Sequence, residues 1–408
     1  MATHGNGRDP RLLPEPQGAY AHVVGWGMAV PSQVLTNQDL AAIVETSDEW
    51  IRTRTGVSER RIAASHESTA SLGLRAARNA LEVANILPLE LDLIVVATST
   101  PDNVFPSTAS LIQDQLGATR AGAFDLSAAC AGFVYALNMA AQSIRSGSIE
   151  SAIVIGAETM SRIIDWRDRG TCVLFGDGAG AVVLKASESD GGIRSAVLRS
   201  DGSGRDLLIL PAMASPESRQ PGAAPVGARL DKLQMNGREV YRFATRIVGE
   251  SISQALEKAQ LDIADLALVV PHQANFRIIE AAARNLGVSP DIFVSNLERY
   301  GNTSAASIPI ALCEAIDAGR IEEGDHIAFC GFGGGLAWAS MVLTWTGRET
   351  GEPRPLGRQR RQLTYARAGW RRRVRDWERQ MDDLVSSLHP RRGRLRRLRR
   401  RFERQRLE

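Results

Sequence analysis

The chain of 408 residues repeats its own order of elements, and this duplication constrains its fold more than any other feature. The apolar runs "LDLIVVATS" (91–99) and "LALVVPHQA" (266–274) are typical of buried strands, and a helical stretch ending in Leu-Gly follows each. Two more pairs of segments follow in the same order, 146–158 with 318–330 and 176–184 with 334–343. Strands that alternate with helices predict parallel sheets covered on both faces. We therefore predict two α/β halves, 20–188 and 189–348, packed as one pseudo-symmetric unit.

Three polar residues fall at strand ends or helix starts in this repeat. Cys130 lies 17 residues before Gly147, and Asn302 lies 17 residues before Gly319. The duplication therefore predicts that Cys130 and Asn302 occupy equivalent helix starts in the two halves. His272 follows a second-half strand, where α/β sheets usually present their working side chains.

Cys130 stands in "DLSAACAGF" (125–133), at a turn between a predicted strand and a predicted helix. Unpaired N–H groups and the positive end of a helix dipole favour the thiolate there. The small neighbours also leave room for a substrate. A free cysteine is equally among the most often buried residue types, so a packed hydrophobic role is the alternative for Cys130 taken alone.

His272 in "VVPHQANFRII" and Asn302 in "RYGNTSAASIP" have similar alternatives. A histidine at a strand end can be a base, a hydrogen-bond donor or a satisfied core residue. An asparagine there is most often an N-cap or an Asx turn. The glycines of "CGFGGGLAW" (330–338) let backbone N–H groups approach a reacting carbonyl, so with the Cys130 N–H they can form an oxyanion hole. Cys130, His272 and Asn302 fall together at the helix starts and strand ends of the repeat, which favours the functional interpretation of all three.

The formal charge of the whole chain, +3, hides two different pieces. Residues 349–408 contain 20 Arg and 8 acidic residues, a net charge of +12, and the other 348 residues carry 29 basic and 38 acidic side chains, a net charge of −9. We therefore separate a basic tail, 349–408, from the two halves and treat 1–19 as a flexible N-terminal segment. The Gly-, Pro- and Ser-rich stretch 201–233 predicts a long loop over the second half.

Composition excludes several classes of protein. No stretch approaches the roughly 18 consecutive apolar residues of a membrane-spanning helix, and the first residues lack the apolar run of a signal peptide. The four cysteines, Cys130, Cys172, Cys313 and Cys330, form no CxxC pair, and HExxH does not occur. We expect a cytoplasmic protein without a disulfide framework, a metal or a resident cofactor.

These motifs together resemble β-ketoacyl-acyl-carrier-protein synthase III, the family of initiating condensing enzymes of type II fatty acid synthesis. The resemblance runs from about residue 20 to 347. It rests on "TSDEWIRTRTGVSERRIA" (46–63), "FPSTASLIQ" (105–113), "DRGT", "FGDGAGAVVL", "PHQAN", "GNTSAAS" and "GFGGG". It implies a thiolase-like αβαβα fold of two pseudo-symmetric α/β halves, to which an Arg-rich helical C-terminal extension is added.

The resemblance implies a role for each catalytic position. Cys130 would take the acyl group from an acyl-CoA thioester, with the N–H groups of Cys130 and Gly334 as the oxyanion hole. His272 and Asn302 would donate hydrogen bonds to the malonyl thioester oxygen as CO2 leaves and the resulting enolate attacks the acyl group. Thiolases of the same fold use a second cysteine before a glycine cluster, where Cys330 stands here, but the "GNTSAAS" context favours the synthase.

The resemblance also implies contacts with CoA. Trp50 and Arg169 match a pair that stacks on adenine, a use suited to an indole face and a planar guanidinium. Thr46 and Arg54 match neighbouring CoA contacts. For Trp50 the alternative is a core anchor of its own helix.

The acyl pocket and the carrier-protein surface are implied in the same way. Phe105 matches an aromatic residue inserted across a dimer interface at the end of the acyl pocket, and Met160 matches a residue of the pocket wall. The positions that match the docking site of the acidic acyl carrier protein are Arg242, Arg277 and Gln273. Asn285 stands where the family often has Lys, which weakens that patch.

Beyond residue 351 the chain departs from the family. Apolar residues recur at spacings of 4, 3, 4, 3 and 4, at Trp370, Val374, Trp377, Met381, Leu384 and Leu388. After "HPRRG", Leu395, Leu398 and Phe402 continue at helical spacing, which predicts an amphipathic helical hairpin. The tail could bind a partner protein, lie on a membrane surface, contact the carrier protein or bind nucleic acid non-specifically, and its two Trp favour the first two. It could equally fold back on its own domain or stay disordered.

We therefore predict a cytoplasmic, homodimeric acyltransferase. It would join an acyl-CoA primer, with acetyl-CoA as the first choice, to malonyl-carrier protein, giving 3-oxoacyl-carrier protein, CoA and CO2. One alternative is a secondary-metabolite ketosynthase or acyltransferase with another primer or acceptor. The other is a scaffold in which the tail is the function, and the intact Cys130, His272 and Asn302 argue against it.

Overall fold

The computed structural model describes residues 20–211, 232–347 and 356–388. The predicted segment 1–19 lies outside the described residues. The strands are β1 (Tyr20–Ala29), β2 (Gln33–Thr36), β3 (Glu59–Ile62), β4 (Leu93–Ala97), β5 (Gly122–Leu126), β6 (Ser151–Thr159), β7 (Asp177–Ser187), β8 (Gly192–Ser200), β9 (Leu208–Ile209), β10 (Gln234–Met235), β11 (Leu266–Pro271), β12 (His326–Gly333) and β13 (Ala337–Thr344). The α-helices are α1 (Asn37–Ala41), α2 (Asp48–Thr55), α3 (Thr69–Ala84), α4 (Thr108–Leu116), α5 (Gly132–Arg145), α6 (Arg169–Cys172), α7 (Gly237–Ala259), α8 (Phe276–Leu286), α9 (Leu297–Tyr300), α10 (Ser307–Asp317) and α11 (Gly357–Leu388).

Two mixed sheets form the centre of the molecule. The first has the strand order β1-β7-β6-β4-β5, and the second has the order β11-β12-β13-β8. Strand β4 is parallel to β5 and β6, and β11 is parallel to β12, whereas the other neighbouring pairs are antiparallel. The prediction of parallel sheets is therefore wrong in part. A connection as short as 334–336, between β12 and β13, can join only antiparallel strands.

The two sheets correspond strand by strand. Strands β1, β7, β6 and β4 of the first sheet match β8, β13, β12 and β11 of the second in their order and direction. The counterpart of β5 is reduced to one parallel bridge between Val269 and Phe293. Strand β5 is thus an edge that the duplication does not reproduce.

Helices fill three layers around the sheets. Helices α5 and α10 lie between the two sheets in one apolar core, which contains Phe133, Leu137 and Ile308. Helix α3 with α4 covers the outer face of the first sheet, and α7 with α8 covers that of the second. Because both faces of each sheet are covered, the central strands read as nearly continuous apolar runs. The result is the predicted αβαβα order of layers.

The two central helices begin in the same unusual way, after a short 3-10 turn. The first residues of these turns, Ala129 and Ser304, have φ angles of +46° and +50°, in the left-handed region. Cys130 therefore corresponds to Ala305. The prediction that it corresponds to Asn302 is wrong, because α5 has 14 residues and α10 only 11, so counting back from the glycine after each helix misplaces the start by three residues.

Helix α11 folds back on the outer layer, along the C-terminal ends of α3 and α4. The buried Arg361 guanidinium donates to Asn85 Oδ1 over 3.0 Å, at the C-cap of α3. Arg375 pairs with Asp114 of α4 at 2.6 Å. Of the alternatives for the tail, folding back on its own domain is the one that its described part adopts.

The apolar stripe predicted for the tail faces away from this contact. Trp370 is 66% exposed and Trp377 is 61% exposed, and Met381 is exposed as well. The second arm of the predicted hairpin, with Leu395 and Leu398, lies outside the described residues, so the hairpin stays a prediction. Within the described ranges, no helix has both the length and the apolarity needed to cross a membrane.

Replacing Ala368 by Arg is expected to release α11. Ala368 is 5% exposed, and a Cβ added at Gly117 of the facing helix end would lie 3.3 Å from the Ala368 Cβ, so a long charged side chain has no room. Overpacking of this kind costs about 2 kcal/mol. Trypsin should then cut α11 several-fold faster while the rest of the chain keeps its Tm. The matched control is Ala366→Arg, on an exposed position of the same helix, and equal cleavage of the two variants would contradict the docked arrangement.

Candidate active site

A cavity of about 330 Å³ lies between the two halves. Cys130, His272 and Asn302 line it together with Gly333, and all three side chains are almost completely buried. They come from three places in the fold: the turn before α5, the end of β11 and the loop before α10. The structure therefore brings the three predicted residues to one site.

The predicted loop 201–233 contributes to the same site through its described first part. Its short strand β9 pairs with β10, which follows the predicted loop, and Leu208 and Met235 line the cavity. Residues 212–231 lie outside the described residues.

Cys130 is in its thiol form in this environment. Burial raises the pKa of the Cys130 thiol to about 12. The hydrogen bond with Ser304 lowers this pKa, and the charge of Glu158 raises it further. The Cys130 Sγ lies 3.5 Å from the Ser304 Oγ. The prediction that the helix start favours the thiolate is therefore wrong for the resting protein, because desolvation outweighs the terminus of a helix.

His272 is a neutral imidazole. It is 2% exposed, and burial lowers its pKa to about 3. Its ring packs edge-on against Phe332, with 5.2 Å between the ring centroids, and its backbone N–H donates to the Cys330 carbonyl over 2.7 Å. Its Nδ1 has no hydrogen-bond partner among the described residues. A neutral ring can carry one N–H, so His272 can donate a hydrogen bond into the cavity.

Asn302 is fixed by an Asx turn. Its Oδ1 accepts the N–H of Ser304 over 2.8 Å, and its own backbone N–H donates to the Leu174 carbonyl over 2.8 Å. The sequence left an Asx turn and a hydrogen-bonding role in the reaction as alternatives for Asn302, and the structure makes the two compatible. The turn uses the side-chain oxygen and leaves the two Nδ2 hydrogens for a ligand in the cavity.

The glycine turn after β12 lies against the cysteine. A Cβ added at Gly333 would lie 2.9 Å from the Cys130 backbone nitrogen and 3.2 Å from its Sγ, so a side chain there would fill the space next to the thiol. Gly334, the predicted second donor of the oxyanion hole, is the next residue. A Cβ on Gly334 would lie 3.1 Å from the Leu208 carbonyl oxygen.

Trp50 and Arg54, two of the four predicted CoA residues, line the cavity, and Arg169 stacks against the Trp50 ring. The guanidinium carbons of Arg54 and Arg169 each lie 4.9 Å from the centre of the Trp50 ring. An adenine between Trp50 and Arg169 would therefore have to displace the Arg169 guanidinium and take over its stacking contact. The hydroxyl of Thr46 is buried and has no hydrogen-bond partner among the described residues, and Thr46 does not line the cavity.

Gln273 does not belong to a docking surface. It is 1% exposed, and its Nε2 donates to the carbonyl oxygens of Pro271 and Val294 over 2.8 and 3.0 Å. Its Oε1 accepts the N–H of Asn296 over 3.1 Å. The prediction that Gln273 contacts a carrier protein is therefore wrong, because its amide is fully used in joining two loops of the second half.

The other two predicted docking residues lie on the surface. Arg277 is exposed and donates to the Thr53 carbonyl over 2.8 Å, beside the helix that carries Trp50. Arg242 is exposed and pairs with Glu239 at 2.8 Å. Both guanidinium groups remain open to solvent, as a docking role requires.

The two predicted acyl-pocket residues do not line this cavity. Phe105 is 86% exposed, and Met160 is buried in a cluster with Phe175, whose side chain does reach the cavity wall. Cys330, the thiolase-like alternative, is buried against α7, with its Sγ 4.0 Å from the Val248 carbonyl oxygen.

Two residues next to the cysteine were missed in the sequence. Glu158 is completely buried, and its Oε1 accepts the Ser304 hydroxyl over 2.9 Å. Burial raises the pKa of the Glu158 carboxyl. An acidic residue at the end of the otherwise apolar strand "SAIVIGAET" was the available signal, because a buried charge is expensive unless it is hydrogen-bonded.

Known proteins resemble this chain in sequence and in fold. A model of 3-oxoacyl-[acyl-carrier-protein (ACP)] synthase III matches residues 124–202, and its C-terminal model matches 256–345. The β-ketoacyl-[acyl-carrier-protein] synthase III of Clostridium acetobutylicum is 50% identical over 326 residues, which are 79% of this chain and 98% of that protein. The solved synthase III of Aquifex aeolicus VF5 is 46% identical, with a TM-score of 0.74 over 80% of this chain and 100% of that one. The priming β-ketosynthase of the R1128 polyketide pathway is 38% identical, with a TM-score of 0.76 over 82% of this chain and 99% of that one.

Two matching halves in five layers, with the active-site cavity between them, define the chain as a thiolase-fold acyltransferase. Within that class, it belongs to the β-ketoacyl-acyl-carrier-protein synthase III family. The family, the fold class and the enzyme class predicted from the sequence are confirmed.

His272 should make the folded protein less stable in acid. The folded state binds the His272 proton only near pH 3, whereas the unfolded chain binds it near pH 6.5, so stability is lost as the pH falls below 6.5. At pH 5 the loss is about 2 kcal/mol. His272→Asn should lose correspondingly less stability between pH 7 and pH 5 in guanidinium unfolding. His66→Asn, at an exposed position, is the control and should follow the wild type; a His272→Asn curve parallel to both would contradict a neutral His272.

Proposed function

We propose that the chain catalyses the decarboxylative condensation of an acyl-CoA primer with malonyl-carrier protein, the first condensation of type II fatty acid synthesis. The observation that carries this proposal is the convergence of Cys130, His272 and Asn302 on one cavity. They supply a nucleophile and two neutral hydrogen-bond donors. None of the described residues that line the cavity is a carboxylate, and a reaction that makes its carbanion by losing CO2 needs no base to remove a proton from carbon.

The first step is acyl transfer to the enzyme. The Cys130 sulfur forms a bond to the thioester carbon of the primer, and CoA leaves as its thiolate. The N–H groups of Cys130 and Gly334 are proposed to stabilise the negative oxygen of the intermediate. The lack of a side chain at Gly333 leaves room for that oxygen next to the sulfur.

The second step makes the carbon–carbon bond. As CO2 leaves the malonyl group, the electron pair of the broken carbon–carbon bond stays behind and forms an enolate. The enolate oxygen accepts hydrogen bonds from His272 and Asn302. The enolate carbon attacks the acyl group, and the Cys130 sulfur leaves. A histidine whose pKa is lowered to about 3 stays a neutral donor throughout, so it stabilises the enolate oxygen without protonating it fully.

The substrates are proposed to enter at the mouth formed by Trp50, Arg54 and Arg169. The aromatic and guanidinium faces suit an adenine, and the Thr46 hydroxyl, which has no hydrogen-bond partner within the described part of the chain, is a further candidate contact for CoA. Arg242 and Arg277 give the acidic carrier protein a basic surface, with its malonyl arm directed into the same cavity. The reaction requires neither a metal nor a resident cofactor.

A homodimer is part of the proposal. Phe105 is 86% exposed at the end of a surface loop, and β5 is an edge strand with an exposed Phe124. An exposed strand edge and a large exposed aromatic side chain both favour burial against another chain. A partner's Phe105 would then close the acyl pocket, as the resemblance implies.

The relatives bear on the choice of pathway. Curated synthase III relatives, such as those of Clostridium acetobutylicum and Symbiobacterium thermophilum, are 50 and 51% identical to the chain, whereas the priming enzyme of a polyketide pathway is 38% identical. A role in primary fatty acid synthesis is therefore better supported than a secondary pathway. Contact of the tail with a partner protein or a membrane surface is an additional proposal, supported by the exposed Trp370 and Trp377.

Condensation of radiolabelled acetyl-CoA with malonyl-carrier protein tests the main proposal. Product is expected from the wild type and from a chain that ends before Gly351, and at least a thousandfold less from Cys130→Ala, because the nucleophile is lost. Cys330→Ala is the matched control at another buried cysteine and should keep most of the activity. Loss of product in Cys330→Ala, with Cys130→Ala active, would point to thiolase chemistry instead.

Arg169→Gln tests the CoA site. Loss of the guanidinium from the Trp50 face removes about 1 kcal/mol of stacking, so the KM for acetyl-CoA should rise roughly fivefold at little cost in kcat. Arg167→Gln, two residues away and exposed, is the control. An unchanged KM in Arg169→Gln would remove this residue from the proposed site.

A further inference from the structure

We infer that Glu158, acting through the Ser304 hydroxyl, takes up the Cys130 proton when the acyl group is transferred and returns it when the product leaves. The inference rests on the proposed function and deepens it, because it assigns the proton that the acyl-transfer step must move. Glu158 does not touch the reacting atoms, so it is a positioning residue and not a catalytic one.

An unbroken chain of polar contacts joins the thiol to the carboxylate. The Cys130 Sγ lies 3.5 Å from the Ser304 Oγ, and the Ser304 Oγ lies 2.9 Å from the Glu158 Oε1. All three residues are almost completely buried. A hydroxyl can accept one hydrogen bond while it donates another, so Ser304 can pass a proton in either direction.

The surroundings of Glu158 are those of a carboxylate. Its oxygens accept the backbone N–H of Ser99 over 3.0 and 3.1 Å, the Thr100 hydroxyl over 2.6 Å and the Thr98 hydroxyl over 3.3 Å. The N–H of Ala305 adds a further donor. These donors favour the carboxylate form, which we assign to the resting enzyme, while burial raises the pKa of Glu158 and so makes the carboxylate a better proton acceptor.

The pseudo-symmetry explains how a carboxylate comes to be there. Glu158 of β6 occupies the position that Gly333 occupies in β12, since Gly156 and Gly331 pack in the same way against the two helix-start turns. Ala305 corresponds to Cys130, so the Ala305 N–H that Glu158 accepts is the counterpart of the proposed oxyanion-hole N–H of Cys130. One half leaves its anion site open for substrate, and the other fills it with its own carboxylate.

The proton transfer balances. As the Cys130 sulfur bonds to the acyl carbon, its proton passes to the Ser304 oxygen and the Ser304 proton passes to Glu158, while the C–S bond to CoA breaks and the CoA thiolate takes a proton from solvent. When the enolate carbon attacks, the departing Cys130 sulfur regains its proton by the reverse path. While either bond changes, Glu158 and the reacting groups share one negative charge; in the acyl-enzyme, after CoA has left, Glu158 holds the proton and both it and the acylated Cys130 are neutral. Release of the thiol proton to solvent would instead place two anions side by side, which the rise in the pKa of Cys130 caused by Glu158 opposes.

The test uses the full chain and the pH dependence of Cys130 alkylation by iodoacetamide, which needs no acyl substrate. The groups that face Glu158 are the three hydroxyls and two N–H groups named above, with Cys130 as the titratable partner and His272 in the same cavity. If Glu158 accepts the proton, Glu158→Gln should react about tenfold or more slowly than the wild type at pH 7, with a rate that rises about tenfold per pH unit, as for a thiol that ionises into solvent. If Glu158 is only a neighbouring charge, its removal should speed the reaction.

Ser304→Ala keeps the inference testable should Glu158→Gln fail to fold. It breaks the path and leaves the carboxylate with its other donors, so it should be slowed like Glu158→Gln. Thr303→Val, which removes the neighbouring hydroxyl of the same turn, is the matched control and should react like the wild type. Wild-type rates in Ser304→Ala, or faster rates in Glu158→Gln, would overturn the inference. Slow alkylation in both variants of an enzyme that fails to condense acetyl-CoA would leave the proton path standing and reject the proposed substrate.

Discussion

The fold depends on the reciprocal contact of two helix-start turns with the glycines of the opposite half. The turn before α10 presses the Ala305 carbonyl against Gly156 of the first sheet, and the turn before α5 presses the Cys130 carbonyl against Gly331 of the second. A Cβ at either glycine would overlap backbone atoms, which cannot move aside as a flexible side chain can. Neither half can therefore complete its own central layer. The same contact sets Cys130, Ser304 and the glycine turn side by side. The packing that joins the two halves therefore also assembles the candidate active site.

Burial at this contact determines the electrostatics of the site. A low-dielectric pocket favours the neutral forms of His272 and Cys130, and it also raises the pKa of Glu158, although the hydrogen bonds that Glu158 accepts oppose that rise. A neutral imidazole and an amide are weak acids that can stabilise an enolate without trapping it. The reactive thiol is thus governed by its contact with a buried proton acceptor, more than by the helix terminus at which it stands.

Much of this arrangement could be predicted from the sequence, and the exceptions have physical causes. The duplication predicted the two halves and their order, and the motifs around Cys130, His272 and Asn302 predicted which residues would meet. The offset between Cys130 and Asn302 was wrong because one helix is three residues shorter. The surface position of Gln273 and the thiolate form of Cys130 were wrong because burial depends on neighbours that are distant in the chain. Ser304 and Glu158 are 146 residues apart, and no local pattern reports such a contact.

The position of α11 separates the tail from this chemistry. In a β-α-β unit the helix is antiparallel to the strands, so the C-terminal ends of α3 and α4 lie near the N-terminal ends of the strands. Cys130 and His272 follow the C-terminal ends of β5 and β11, at the opposite end of the strands. The two sites are about one strand length apart, roughly 16 Å for β4. The Trp-bearing face of α11 can therefore be covered by a partner or a surface while the mouth of the cavity stays open to CoA and carrier protein.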